Sequence, residues 1–339
     1  MDTTSHIIIG LGLGALSHID PMVAESATLS YAVLIGTVFG SNAPDFDYVY
    51  KLKGNSSYYR HHRGWSHSLL ALPLWGLVVS GSIYFFFSEV SFLHLFLWTF
   101  LSVILHVFLD LFNVYGTQAI RPFSTKWISF DSIPLVDPYI LSLHIIGFFL
   151  LPFYEAGRVF IIIYMLIFLY LLLRTSYASF TKRYLQGHFQ NAIRIKLMPR
   201  ARILYWDLLI ETEDGFLFGE YSRKSLVIDH TLPKKQYDSD LILESMNDRF
   251  VSDFLSSTNF AYPFVQKKKN GTFVCWRDLR FRNNKFFPYL AVVFISTELQ
   301  SKASYTGWVY SLKKYKKVLR KLEHTSPSYM RKKKSYFEG

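Results

Sequence analysis

Cysteine is all but missing from this chain: Cys275 stands alone among 339 residues. A single thiol excludes an intrachain disulfide and any thiolate metal cluster within one chain, and it suits a reducing compartment. Charge is scarce in the first half, where residues 1–174 hold 8 Lys and Arg against 10 Asp and Glu. A basic n-region is missing as well. Asp2 precedes a short apolar run flanked by histidines, so that run is expected to stay in the mature protein rather than act as a cleaved signal. No internal repeat is visible.

What the chain does have is apolar surface, with 50% hydrophobic and 18% aromatic residues, a balance that points to a membrane. Basic charge gathers after Arg174, where 29 Lys and Arg face 15 Asp and Glu, a net of +14 against −2 before it. Such asymmetry predicts an apolar, membrane-embedded half and a basic, water-soluble half.

Six uncharged stretches lie between Asp2 and Asp20, Glu25 and Asp45, His67 and Glu89, Glu89 and Asp110, Asp137 and Glu155, and Arg158 and Arg174; they enclose between 15 and 21 residues each. A spanning helix needs roughly 20 apolar residues, with about 17 as the lower limit. The third and fourth meet this outright. The sixth is short, but Arg158 and Arg174 can snorkel from its ends. The first holds two histidines and three glycines, so a re-entrant or surface-lying segment is the alternative there. Six spans place loops 44–66 and 116–137 and the basic tail on one side, which the positive-inside rule assigns to the cytoplasm together with both termini.

The expected architecture is therefore an α-helical polytopic membrane domain of about six spans over 1–174, followed by a basic juxtamembrane helix over 175–194. A small cytoplasmic α+β domain over 195–312 and a basic tail over 313–339 complete it. Aromatic and β-branched content predicts strands at Ile203–Ile210, Phe216–Tyr221, Phe273–Trp276 and Tyr289–Ser296. Helical spacing of apolar residues predicts a helix over Ser239–Leu255.

Five clusters carry chemistry. They are His6; Asp45 with Asp47; His62, Arg63 and His67; His106 with Asp110, four residues apart on one helical face; and Asp137 before Pro138. With alternating spans, all five fall at the same membrane face, whereas His18 and His94 fall toward the other and His144 lies within the fifth span. Imidazole and carboxylate together suit a divalent metal, Zn²⁺, Mn²⁺ or Fe²⁺, and the number of carboxylates allows one or two ions. His6, Asp45, Asp47, His62, His67, His106 and Asp110 are the candidate ligands. Asp47 or Asp137 is the candidate general base. The bland alternative makes Asp45 and Asp47 helix caps, His106 a core histidine and Asp137 a turn residue. Convergence of the whole set weighs against it, and an intramembrane Asp110 is costly without a partner. Every candidate ligand precedes Pro138, so the chain after Arg174 is expected to be dispensable for metal binding.

The stretches Met1–His6, Pro44–Asp47, His62–Ser68, His106–Asp110, Asn113–Thr117 and Asp137–Pro138 resemble the membrane-bound metal-dependent hydrolases, the LexA-regulated inner-membrane hydrolase family of YdjM-like proteins. The general resemblance covers about residues 1–140, and a closer likeness to one branch takes in the C-terminal domain. It implies a multi-pass protein of the bacterial cell membrane and a metal-dependent hydrolase, with zinc or manganese as the metal. A membrane lipid is the expected substrate class, because the site opens where headgroups lie.

Arg60, Arg63, Arg121 and Lys126 share the expected metal face; Arg63 and Arg121 are candidates to hold a substrate phosphate. Positive-inside charges facing anionic lipid are the simpler reading of the same residues. Lys267–Lys269, Lys313–Lys321 and Arg331–Lys334 come with no recognised DNA-reading motif, so contact with anionic lipid is preferred over nucleic acid. The non-enzymatic alternative is a membrane metal-sensing or regulatory protein. Nothing in the sequence sets an oligomeric state.

Overall fold

A computed structural model describes residues 1–53, 58, 62–223, 225–234, 240–282, 286–296 and 302–325. Arg60 and the Arg331–Lys334 run lie outside the described residues. The first half is helical. Helix α1 is Thr3–Leu16, capped by the Asp2 carboxylate, which accepts from the Ser5 amide at 3.2 Å. The short α2, Pro21–Glu25, leads into α3, Ala27–Gly40, and then into a 3₁₀ segment, Ala43–Lys53. A 3₁₀ turn, Trp65–His67, precedes α4, Ala71–Tyr84. Then come α5, Phe92–Asp110, and α6, Pro138–Leu150, with Pro138 at its first position, where the missing N–H has no intrahelical partner to lose. The longest helix is α7, Ala156–His188, with 33 residues.

Only α5 and α7 are long and apolar enough to cross a membrane among the described residues. Helices α1, α3 and α4 have 14 residues and α6 has 13. At 1.5 Å per residue that is about 20 Å, against a hydrocarbon core of about 30 Å. Six full-length spans are thus more than the helices supply. The uncharged stretches are longer than the helices because their ends wind into turns: α3 stops at Gly40, four residues before Pro44, and α4 starts only at Ala71. The outer faces of the long helices are apolar all the same, with Leu93, Met165 and Leu173 each at least 60% exposed. Small residues let the inner helices close up. A Cβ on Gly10 would meet the Ser41 hydroxyl and the Thr37 backbone, and one on Gly40 would meet the Ser102 hydroxyl and the Thr99 backbone, so α1, α3 and α5 approach closely.

Arg174 does not end the helical domain. It is buried, its Nε donates to the Ser132 carbonyl at 2.8 Å, and its Nη atoms donate to the carbonyls of Arg202 and Arg200 at 3.5 and 3.3 Å. Its guanidinium also stacks 5.3 Å over Trp206. Helix α7 simply continues through the expected juxtamembrane segment into a first four-stranded sheet, β1 (Ala192–Pro199), β2 (Tyr205–Thr212), β3 (Gly215–Ser222) and β4 (Ser225–Pro233), ordered as in the sequence. Ala178 and Leu185 of α7 pack on Ile195, Leu197, Trp206 and Tyr221 of this sheet.

The expected single α+β domain over 195–312 is therefore two sheets in two compact units. The first sheet belongs with the helices, in the unit of Met1–Asp47 and His62–Leu232; the second unit is Tyr48–His61 together with Pro233–Gly339. There α8 (Asp240–Met246) and α9 (Arg249–Ser256) precede β5 (Ala261–Lys268), β6 (Gly271–Asp278), β7 (Tyr289–Ser296) and β8 (Lys302–Trp308), again in sequence order, followed by α10 (Leu312–Thr325). The predicted helix over Ser239–Leu255 is broken because Asp248 caps a new one, accepting from the amides of Phe250 and Val251. Alternation along β6 and β7 sends Trp276, Ala291 and Val293 toward Val251 and Phe254 on one face. Phe273, Cys275, Val292 and Phe294 go toward Tyr315, Val318 and Leu322 of α10 on the other. Strand β7 is buried at all eight positions because both of its faces are covered.

Candidate metal centre

The C-terminal end of α5 supplies His106 and Asp110, which share one helical stripe. Two short 3₁₀ segments bring Asp45 and His67 against it. The four side chains present ligand atoms to one another. His106 Nε2 is 3.2 Å from His67 Nε2 and 3.6 Å from both Asp45 Oδ1 and Asp110 Oδ2. His67 Nε2 is 3.4 Å from Asp45 Oδ1 and 3.5 Å from Asp110 Oδ2. A tetrahedral ion with ligand bonds of about 2.0–2.2 Å separates its ligand atoms by about 3.3–3.6 Å. The spacing fits.

The second ring nitrogens fix which atoms face the centre. His106 Nδ1 donates to the Ser41 carbonyl at 2.6 Å, which leaves Nε2 as the bare nitrogen. The Ser66 hydroxyl donates to Asp47 Oδ2 at 2.7 Å, so its oxygen accepts from His67 Nδ1 at 2.9 Å, and His67 too presents a bare Nε2. Burial, the largest effect, drives the His67 imidazole down to about 3, with His106 and His62 adding to it and Asp45 opposing. Burial pushes the Asp45 carboxyl up, but the imidazoles of His106 and His67 outweigh it and hold the group well below the usual carboxylate range. Asp47 is also lowered: burial raises it, while His62 and the Ser66 hydroxyl bring it down further. Neither Asp45 Oδ1 nor Asp110 Oδ2 has a hydrogen-bond partner. Two lone pairs and two carboxylate oxygens thus converge in a buried space with no donor among them. These four residues could hold a metal ion.

Asp110 is held from its other oxygen. Oδ1 accepts from Arg63 Nη2 at 3.2 Å, from Asn113 Nδ2 at 3.0 Å and from the Met1 amino group. Arg63 adopts a left-handed backbone, φ 62°, which lets its amide donate to Asp47 Oδ2 while its guanidinium reaches Asp110 and Asn113. Arg63 is therefore buried as a charge partner of Asp110 rather than presented to a substrate phosphate. Asn113 accepts through Oδ1 from the amides of Tyr115 and Gly116 as well, turning the chain after α5. Gly116 sits at φ +65°, where a Cβ would meet the Ile128 carbonyl.

The remaining candidates are placed as follows. Asp45, Asp47 and His62 make a second group that shares Asp45, with His62 Nδ1 2.9 Å from Asp47 Oδ1. His6 stacks on His106 with ring centroids 3.8 Å apart, and its Nε2 is 3.7 Å from Asp110 Oδ1, so it flanks the four ligand atoms without joining them. Asp137 caps α6, accepting from the amides of Tyr139 and Ile140 and from the Tyr170 hydroxyl. That use of its oxygens gives no support to Asp137 as general base. Arg121 lies 5.2 Å over the Trp65 ring, and its buried Nε has no partner. Away from the centre, His94 pairs with Asp20 at 2.6 Å, His18 with Ser30, and His144 donates to the Ile140 carbonyl. Ser41, Ser66 and Asn113 were not singled out by residue type. Ser66 and Asn113 do lie inside the stretches that carry the family resemblance.

A helical domain of this kind, apolar on its outer faces and carrying a buried His/Asp cluster, marks a membrane-associated protein with a candidate metal site. The chain belongs to the YdjM inner membrane protein family, which matches residues 1–180. Residues 240–319 match the YfhP C-terminal alpha/beta plait domain. The chain is also 35% identical over 325 residues, 94% of its own length and 99% of the relative's, to the "Uncharacterized protein YfhP" of Bacillus subtilis (strain 168). No solved structure matches.

Proposed function

We propose that the protein is a metal-dependent hydrolase at the cytoplasmic face of a bacterial cell membrane, acting on a phospholipid or another membrane-associated ester. The observation that carries this reading is the donor-free cluster of His67 Nε2, His106 Nε2, Asp45 Oδ1 and Asp110 Oδ2. Those four residues would hold one ion, zinc or manganese, and Asp45, Asp47 and His62 a second where two bind. A divalent ion there supplies Lewis acidity to a scissile phosphoryl or carbonyl oxygen and makes water more acidic. Asp45 is the ligand with solvent access, its side chain 21% exposed against 0% for the other three, so substrate approaches from its side. On that side His62, held by Asp47 at 2.9 Å, would accept the proton of the attacking water, the oxygens of Asp47 being taken by His62, Ser66 and the Arg63 amide. Arg121, backed by Trp65, takes the anionic group of the substrate.

The basic loops favour a multi-pass topology with both termini cytoplasmic, in which the shorter helices would cross with the help of their turns and local thinning of the bilayer. The outward lysines of α10 suit anionic headgroups. One feature favours a second reading. Four protein ligands complete a tetrahedron, as structural zinc sites do, whereas catalytic sites keep a position open. On this reading the protein is a membrane metal-sensing or regulatory protein with a closed site.

Elemental analysis of detergent-purified protein, followed by ester and phosphoester lipid assays with and without chelator, separates the readings. Bound ion with chelator-sensitive turnover upholds the hydrolase. Bound ion without turnover on either lipid class favours the sealed site, and protein without metal overturns both. His67→Ala, His106→Ala and Asp110→Ala should each lose most of the metal, while His94→Ala should keep it.

A further inference from the structure

The loop that leaves α5 returns to it. The Phe130 amide donates to the Leu111 carbonyl at 2.7 Å, and the amides of Ser132 and Ile133 donate to the Phe112 carbonyl at 2.9 and 3.1 Å. Leu111 and Phe112 directly follow the candidate ligand Asp110, where a chain leaving a helix has carbonyls without intrahelical partners. The other arm of the loop reaches the same carboxylate by a second route. Thr117 and Ile128 exchange backbone hydrogen bonds at 3.1 and 2.9 Å. The Gln118 amide donates at 3.0 Å to the carbonyl of Arg63, whose guanidinium donates to Asp110 Oδ1. Both arms thus bear on Asp110.

The loop is gripped from β1. Lys196 Nζ donates to Asp131 Oδ1 at 2.6 Å and to the Ser129 hydroxyl at 2.9 Å, and the two charged side chains are only 12% and 8% exposed. A pair so far from solvent is little screened, and removing either partner strands the other charge. Asp131 sits at φ 54°, a left-handed backbone that Asp tolerates better than most residues. One residue on, the Ser132 carbonyl accepts from Arg174 at 2.8 Å and its hydroxyl from Thr175 at 3.2 Å. We propose that Lys196 is a positioning residue of the metal centre: by clamping Asp131 it seats the 128–133 segment on the carbonyls that follow α5 and so holds Asp110 at ligand distance. This role rests on the metal reading of the cluster, not on hydrolysis. Coupling between two sites is reciprocal, so an ion at Asp110 tightens the grip on Lys196, and the first sheet registers whether the site is filled. A loop that served packing alone would cost stability when loosened and leave the affinity for the ion unchanged.

The test titrates the full-length protein in detergent with Zn²⁺, and separately with Mn²⁺, against a chromophoric chelator. Lys196→Met keeps the stem and removes the charge; it should lower metal affinity about tenfold, as outer-shell changes do. Lys196→Arg should restore it. Ile83→Ala truncates a buried side chain of α4 in a different core cluster, so it should lower the melting temperature and keep wild-type affinity. Hydrogen exchange reads the converse direction: the metal should slow exchange of the Ile195 and Leu197 amides of β1 in the wild type and not in Lys196→Met. Asp131→Asn, which suits the same backbone, carries both readouts if Lys196→Met does not fold. Wild-type affinity in the charge-removing variants, or an equal loss in Ile83→Ala, overturns the clamp and leaves the metal site standing. Wild-type protein that binds neither ion removes the metal reading, and the clamp with it.

Discussion

Two bare imidazole nitrogens 3.2 Å apart, with two carboxylate oxygens beside them, repel unless a cation lies between. The polar residues around them make this arrangement permanent by fixing tautomers. The chain Asp47–Ser66–His67 is the clearest case: the carboxylate takes the hydroxyl proton, the hydroxyl oxygen takes His67 Nδ1–H, and Nε2 is left to the ion. Ser66→Ala should weaken metal binding about 10–100-fold without removing a ligand, as outer-shell changes do. Competition against a chromophoric chelator reads this directly, and unchanged affinity would mean that packing alone orients the ring. In metal-stripped protein, burial holds His67 neutral down to about pH 3, whereas in the unfolded chain it takes up a proton below about 6.5. The unfolded state therefore binds more protons in that window, and stability falls as the pH drops from about 6.5 toward about 3. Melting temperature should decline more steeply with acid in the wild type than in His67→Gln; parallel profiles would contradict this.

At the scale of elements, the sequence was readable where a residue's role depends on its own segment. His106 and Asp110 share a stripe at helical spacing, and Tyr289–Ser296 is a strand at the predicted bounds because its β-branched and aromatic run is buried on both faces. Strands β1, β4, β5 and β8 were not foreseen. Strand β4 is mostly exposed, and β5 carries Pro263 and a lysine-rich end, features an edge strand tolerates but composition does not reveal. The partners of Asp110 were equally hidden, because Arg63 and Asn113 reach it from 47 and 3 residues away through a left-handed turn and a loop. Basic loops remain the only sequence signal for orientation. Introduced cysteine at Lys126 should react with an impermeant maleimide only after the membrane is opened, and labelling in intact cells would reverse the proposed topology.

Across the whole molecule, the division between an apolar and a basic half follows from charge, but the structural division lies elsewhere. Composition changes at Arg174, whereas the fold continues through it, because a buried guanidinium ties α7 to Ser132, Arg200 and Arg202 and the first sheet packs on the end of that helix. Every ligand still precedes Pro138, so dispensability of the C-terminal region depends on where the chain is cut. A truncation near Thr181 removes Leu185 and strips the whole sheet from Ala178, leaving Arg174 without the Arg200 and Arg202 carbonyls or the Trp206 ring. Removing partners from one buried charge costs about 3–5 kcal/mol, a large part of a domain's stability. A chain ending after Pro233 keeps all of these contacts, since the second sheet has a core of its own on α9 and α10. The Pro233 truncation should purify with the metal content and melting temperature of the intact helical unit, while the Thr181 truncation should aggregate or melt well below it. Thermal scans followed by metal analysis decide the matter, and equal behaviour of the two truncations would place the domain boundary back at Arg174.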